Sequence, residues 1–432
     1  MSSRVRTPSP GDRPVHTSVV AVPRIWLIIL GLLVVTPWLV IGGVYVWRQG
    51  VSARSSATAE TRSTGQDQQA MVAGPWGTLI LSPIVISPPI ELLQDDWARE
   101  PDAGKWWFMP ATRPEEADAL LSSIGLSREQ VSQLMSTAQA APQIRGLVLT
   151  PDQDLVRGLA PDVRARLYVQ LAKSALNADQ ANAFRYAGDS IDAWLGSSAI
   201  SPATRRLVEP LIYRYGRHLY FADAALVRSQ ITDLDELRHL AKALLRQTTL
   251  RVRLSIPQLS DVPALADYWG RGGRRTDIRP LLESIVGAGA DRSLDIVHLL
   301  PSFARERLYR YPRLTAQDLD RSTLANCLWT ALNFFSDRPD DRYLDIDFAA
   351  ERLKQDYYVI DNSFEFGDVV AMLDETGTLF HAAVYLADNL VFTKNGMSRV
   401  APWVILPIDV VKDFYRPRCA NPRLIYHRRK DF

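Results

Sequence analysis

The sequence predicts an α+β protein in three parts. These are an N-terminal transmembrane helix, a mostly α-helical middle body with short strands, and a C-terminal domain with a cysteine-bearing helix packed on an antiparallel sheet. Three observations predict it. Residues 25–47 carry no charge. Helix-start signals and helical periodicity dominate residues 113–247. Cys327 opens an apolar, helix-spaced run, and a hairpin with His381 on its second strand follows.

The first 24 residues are rich in Ser, Pro and Arg and read as a disordered cytoplasmic tail. The uncharged stretch 25–47 has 23 residues, enough to cross a hydrocarbon core of roughly 30 Å at about 1.5 Å per residue. Trp26 stands at one end and Tyr45 and Trp47 at the other, where amphipathic rings favour the headgroup level. A cleaved signal peptide is the rival reading, but the apolar stretch is long and no small-x-small site follows it promptly. Arg4, Arg6, Arg13 and Arg24 precede the span, while Arg48, Arg54 and Arg62 follow it. That asymmetry puts the tail inside and the C-terminal domains outside, on a bacterial inner membrane crossed once. A polar tether, residues 48–72, would separate the bilayer from the folded part.

Residues 73–314 form the expected helical body. Gly77 to Pro89 reads as short edge strands with proline ends. Ser127-Arg128-Glu129-Gln130 and Thr150-Pro151-Asp152-Gln153 are capping-box starts. Pro161 and Pro202 begin further helices, and Gly216 is expected to end one. Thr232 opens an amphipathic helix through Leu237, Leu240 and Leu244. Leu250 to Ser255 alternates as a half-buried strand, and more helix is expected from Asp261 to Tyr309. This body carries no recognisable chemistry and reads as a scaffold or partner-binding element.

Residues 315–432 form the candidate catalytic domain. A cysteine in the first turn of a helix faces unpaired N–H groups and the positive end of the helix dipole, which stabilise a thiolate. Phe366-Gly367-Asp368 leads into an apolar strand, residues 374–378 turn, and His381-Ala382-Ala383-Val384-Tyr385-Leu386 returns. A helix-start Cys followed by a strand His is the papain-like arrangement. Asn395, or Thr393 on the same strand, would orient the imidazole. Blander readings stand beside these: Cys327 as a small buried hydrophobe or bridged to Cys419, His381 as a satisfied core histidine, and Asn395 as a turn residue before Gly396.

These stretches resemble the NlpC-type cell-wall cysteine peptidases and amidases, in which a Cys opens a helix, Gly-Asp leads into the next strand and a His starts a strand of this form. The resemblance covers residues 320–415. It implies a papain-like domain with Cys327 as nucleophile, His381 as base and Asn395 as orienting residue, acting on amide bonds such as those of peptidoglycan stem peptides. The chain departs from the pattern at Leu328 and Trp329, where the family carries small residues, and at Thr393 and Asn395, where it often carries a second His. The alternative is therefore a non-catalytic envelope scaffold with an inactive papain-like domain. Acyl transfer to or from lipid is a related option.

The rest of the composition excludes more than it suggests. A net charge of +2, with aromatic residues not interleaved among basic ones, gives no reason to expect nucleic acid. No Cys-x-x-Cys or His-Glu-x-x-His spacing implies a metal. Gly270-Arg271-Gly272-Gly273 lacks the Lys-Ser/Thr ending of a phosphate loop. No cofactor is expected, and the oligomeric state is open.

Overall fold

A computed structural model describes residues 70–93 and 106–432, apart from Thr112, Asp189, 197–199, Arg217, 289–291, 313–324, Pro417 and Ala420. The expected tail 1–24, the span 25–47 and most of the tether lie outside the described residues. Among the described residues no helix is long and apolar enough to cross a membrane. The longest, Arg275–Gly287, has 13 residues. At about 1.5 Å per residue it reaches roughly 20 Å, well short of a hydrocarbon core. The expected fold class is therefore corrected: the chain is mixed α/β with several antiparallel sheets, and an N-terminal transmembrane helix is not supported.

Sixteen strands are described: β1 (Ala70–Gly74), β2 (Gly77–Ile86), β3 (Trp107–Met109), β4 (Gln139–Ala141), β5 (Gly146–Leu149), β6 (Phe184–Ala187), β7 (Tyr213–Tyr215), β8 (His218–Phe221), β9 (Gln247–Ile256), β10 (Arg292–Asp295), β11 (Tyr357–Ile360), β12 (Val369–Leu373), β13 (Leu379–Ala387), β14 (Leu390–Lys394), β15 (Trp403–Pro407) and β16 (Arg423–Arg429). They build four sheets, ordered β1-β2-β9-β10, β3-β5-β4, β6-β8-β7 and β11-β16-β12-β13-β14-β15.

Local chemistry explains the body. Ser127 and Gln130 form a full capping box at the start of Arg128–Met135. Asp152, not Thr150, caps Gln153–Gly158, because its carboxylate accepts from the Leu155 N–H. Likewise Asp233 rather than Thr232 caps Leu234–Leu244. Gly216 ends no helix. It takes φ +59° in the turn joining β7 to β8, a conformation glycine adopts without strain.

Three cores organise the molecule. One lies within residues 107–245 and carries the two three-stranded sheets. A second runs from Leu79 on β2 through β9, Trp269 and Phe303 to the Cys327–Leu332 helix and one face of the six-stranded sheet. The opposite face of that sheet packs Val370, Ala383, Tyr385 and Val391 against the Ile408–Tyr415 helix. Thr249 stitches β9 to β15 twice: its hydroxyl donates to the Ile405 carbonyl at 2.9 Å and accepts the Ile405 N–H at 3.1 Å.

Candidate functional site

Asn326 starts the cysteine helix: its side-chain oxygen accepts from the Trp329 N–H at 2.8 Å, leaving Cys327 as the first helical residue. The bulky pair after it is core material. Leu328 and Trp329 are buried, Trp329 Nε1 donates to Asp341 at 3.1 Å, and Thr330 accepts from Trp403 Nε1 at 3.0 Å. The Trp403 bond ties the helix to the sheet, and the Asp341 bond ties it to the turn Asp341–Leu344.

The thiol environment differs from the helix-start expectation. Cys327 remains partly exposed, yet burial around its sulfur pushes the thiol pKa up. The backbone N–H groups of Ala382, Leu328 and Cys327 and the charge of Lys394 pull it down, but by less. A six-residue helix supplies a short dipole, and desolvation outweighs it here. Cys419 is buried; both thiols are free and no bridge joins them.

His381 is fully buried on β13, and burial drives its pKa down to about 3, so the imidazole is neutral. Nε2 lies 3.0 Å from Thr393 Oγ1, and the Thr393 hydroxyl donates in turn to Asn395 Oδ1 at 3.4 Å. With the Thr393 proton on that contact the hydroxyl accepts from the ring, an arrangement that takes the tautomer protonated at Nε2 and leaves Nδ1 as the basic nitrogen. Among the described residues Nδ1 has no hydrogen-bond partner, the Cys327 thiol included. The Tyr415 ring covers the imidazole at 4.5 Å between centroids. Asn395 thus touches Thr393 rather than the ring, and Thr393 is the direct orienting residue.

Strand parity explains why thiol and imidazole do not bond. Ala382 and Val384 pack in the core that holds the cysteine helix, while Ala383 and Tyr385 pack in the core of the opposite face. His381 has the parity of Ala383 and Tyr385, and its ring meets Tyr415 of that opposite core. Cys327 and His381 come together at the end of the sheet, where both line a narrow cavity of about 70 Å³ with Leu379, Gly396, Tyr415 and Arg418.

The Gly367-Asp368 motif is structural. Asp368 is buried and bidentately paired with Arg428, at 3.0 and 2.8 Å, and accepts the Glu365 N–H at 2.7 Å. It joins β12 to β16 and stands outside the cavity wall.

Sequence reasoning missed Lys394, Tyr415 and Arg418. Lys394 is fully buried, and its ammonium donates to the Gly396 and Ser398 carbonyls at 2.8 and 2.9 Å. Lysine beside Asn-Gly normally signals an exposed turn, so the sequence holds no cue to this burial. No protein-family model, curated protein or solved structure matches the chain.

Proposed function

We propose that the Cys327 cavity is a cysteine acyl-transfer site that hydrolyses amide bonds. The observation that carries this reading is the buried His381 Nδ1, without a partner among the described residues, beside the cavity that Cys327 lines. A fully buried ring nitrogen left unbonded costs stability, and a catalytic role is one of the explanations such a group calls for. Cys327 would attack the carbonyl carbon as its thiol proton passes to Nδ1. The tetrahedral oxyanion would meet N–H donors at the helix start. Collapse expels the amine, which takes the proton from the imidazole, and water then releases the acid by the same steps in reverse. The resting pair is a neutral thiol and a neutral imidazole, so the contact must tighten on substrate binding, as catalytic hydrogen bonds often do. The resemblance over residues 320–415 makes peptidoglycan stem peptides the first substrates to try.

A second reading has its own support. The raised thiol pKa, the absence of a thiol–imidazole bond and the small cavity also suit a non-catalytic interaction domain. An activated ester separates the two. Incubation with p-nitrophenyl acetate should acetylate Cys327, seen by intact mass and peptide mapping. The adduct should turn over, and Cys327→Ser should abolish it. His381→Ala should slow its formation by about 100-fold, the scale of general-base catalysis. Folded protein that never acetylates at Cys327 would leave the interaction reading in place.

A further inference from the structure

On the face of the sheet that the cysteine helix covers, the charged neighbour is a lysine. The helix packs on β13 and β14. Val384 pairs with Phe392, and Ala382 and Lys394 each lie two residues beyond that pair on their own strands, on the same face. Both share the parity of the residues that contact the helix, and the Ala382 N–H already favours the Cys327 thiolate. Lys394 is fully buried and makes no ion pair among the described residues, with the Trp403 ring 5.7 Å from its ammonium. A buried ammonium without a carboxylate is costly to keep, even with two carbonyl acceptors.

The other charges near it are few. The cysteine helix and β15 carry none, β13 turns His381 to the opposite face, and Tyr415 and Arg418 line the cavity that Cys327 lines, with Tyr415 close enough to feel the thiolate charge. The carbonyls that Lys394 holds belong to the turn whose Gly396 and Met397 form part of the cavity wall.

We propose that Lys394 is a positioning residue of this site: its buried ammonium is the counter-charge for the Cys327 thiolate, and its two hydrogen bonds hold the turn that walls the cavity. The proposal rests on Cys327 being the reactive group named above, but its test reads thiol ionisation and needs no hydrolysis. Consistent with it, burial lowers the Lys394 pKa to about 7 and the thiolate raises it in return.

The test is the pH dependence of Cys327 alkylation by iodoacetamide, followed by mass spectrometry in protein shown to be folded. Lys394→Met should slow alkylation about tenfold at pH 6, one pKa unit's worth of thiolate. The deficit should vanish above about pH 8, where wild-type Lys394 is itself neutral. Lys394→Arg, charged throughout, should keep the wild-type rate at pH 6. A loss confined to the turn geometry would persist at all pH values, and an unchanged pH 6 rate in Lys394→Met would overturn the pairing outright. Should neither variant fold, wild-type protein still decides. A coupled pair gives a two-step rate profile with its first rise below pH 8, and a single-step titration refutes the proposal.

Discussion

Thr393 Oγ1 lies 3.0 Å from His381 Nε2 and makes an onward contact to Asn395 Oδ1 at 3.4 Å. The hydroxyl is an acceptor for the ring, so it both satisfies a buried N–H and selects the tautomer. Thr393→Val is nearly isosteric and removes the hydroxyl, and with it both the contact to the ring and the onward bond to Asn395. It should destabilise the fold by about 1–3 kcal/mol, the cost of an orphaned buried donor. Thr393→Ser should stay close to wild type. Urea midpoints at constant m-value check both.

His381 makes stability depend on acid. Its folded pKa of about 3 lies below the unfolded value of 6.5. Between these two values the unfolded chain binds the extra proton, so stability falls as pH drops, by at most about 1.4 kcal/mol per pH unit. His427 is also lowered by burial and contributes in the same direction. Replacing His381 with Gln should flatten the stability profile between pH 4 and 6 without abolishing its slope. Equal slopes in the two proteins would mean that His381 is protonated in the fold.

The helix start at Cys327 and the hairpin bearing His381 are legible because capping and turn chemistry are local: Asn326 caps, and Asp374 N–H bonds Thr378 at 3.0 Å across the turn. Which way His381 points is not legible. β13 is buried on both faces, so Ala382 and Ala383 look alike and no polar alternation marks a side. The short strands β3 to β8 hide for a related reason, since three or four residues between helices carry no measurable period. The burial of Lys394 depends on the distant Trp403 and on the turn beyond Gly396, neither of which local patterning reports.

Gly367 takes φ +94°, and a Cβ there would sit 2.2 Å from the Phe335 ring. Gly367→Ala therefore meets both backbone strain and a clash, and should cost about 2 kcal/mol or more. Trimming Phe335 to Ala in the same chain removes the clash alone. The double variant should remain less stable than Phe335→Ala by about 1 kcal/mol, measured by thermal or chemical unfolding.

Asp368, in the Gly367-Asp368 stretch that carries part of the family resemblance, forms with Arg428 an ion pair that ties β12 to β16. Arg428 is mostly covered and Asp368 nearly inaccessible, so breaking the pair leaves a buried charge. Arg428→Met should destabilise by about 3 kcal/mol. Arg271, 3.5 Å from Asp368, softens the loss. Asp368→Asn combined with Arg428→Met should recover part of it, a coupling that a double-mutant cycle reads directly. The rate of Cys327 alkylation should not change in any of the three, because Asp368 stands outside the cavity.

The two thiols give the sharpest contrast. Cys327 opens onto the cavity, while Cys419 is buried with its N–H bonded to the Tyr415 carbonyl at 3.0 Å. Iodoacetamide should label Cys327 first in native protein, and Cys419→Ser should leave that rate unchanged. Because burial raises the Cys327 pKa, labelling should be slower at pH 7 than for a solvent-exposed thiol and should climb steeply above pH 9. Cys327→Ser should fold normally and lose both the label and any acyl adduct. Labelling at pH 6 as fast as at pH 9 would mean a preformed thiolate, paired with the His381 imidazolium or the Lys394 ammonium, and the neutral resting site would be wrong. Preferential labelling of Cys419 would instead remove Cys327 as the reactive group, and with it the amide-hydrolase proposal.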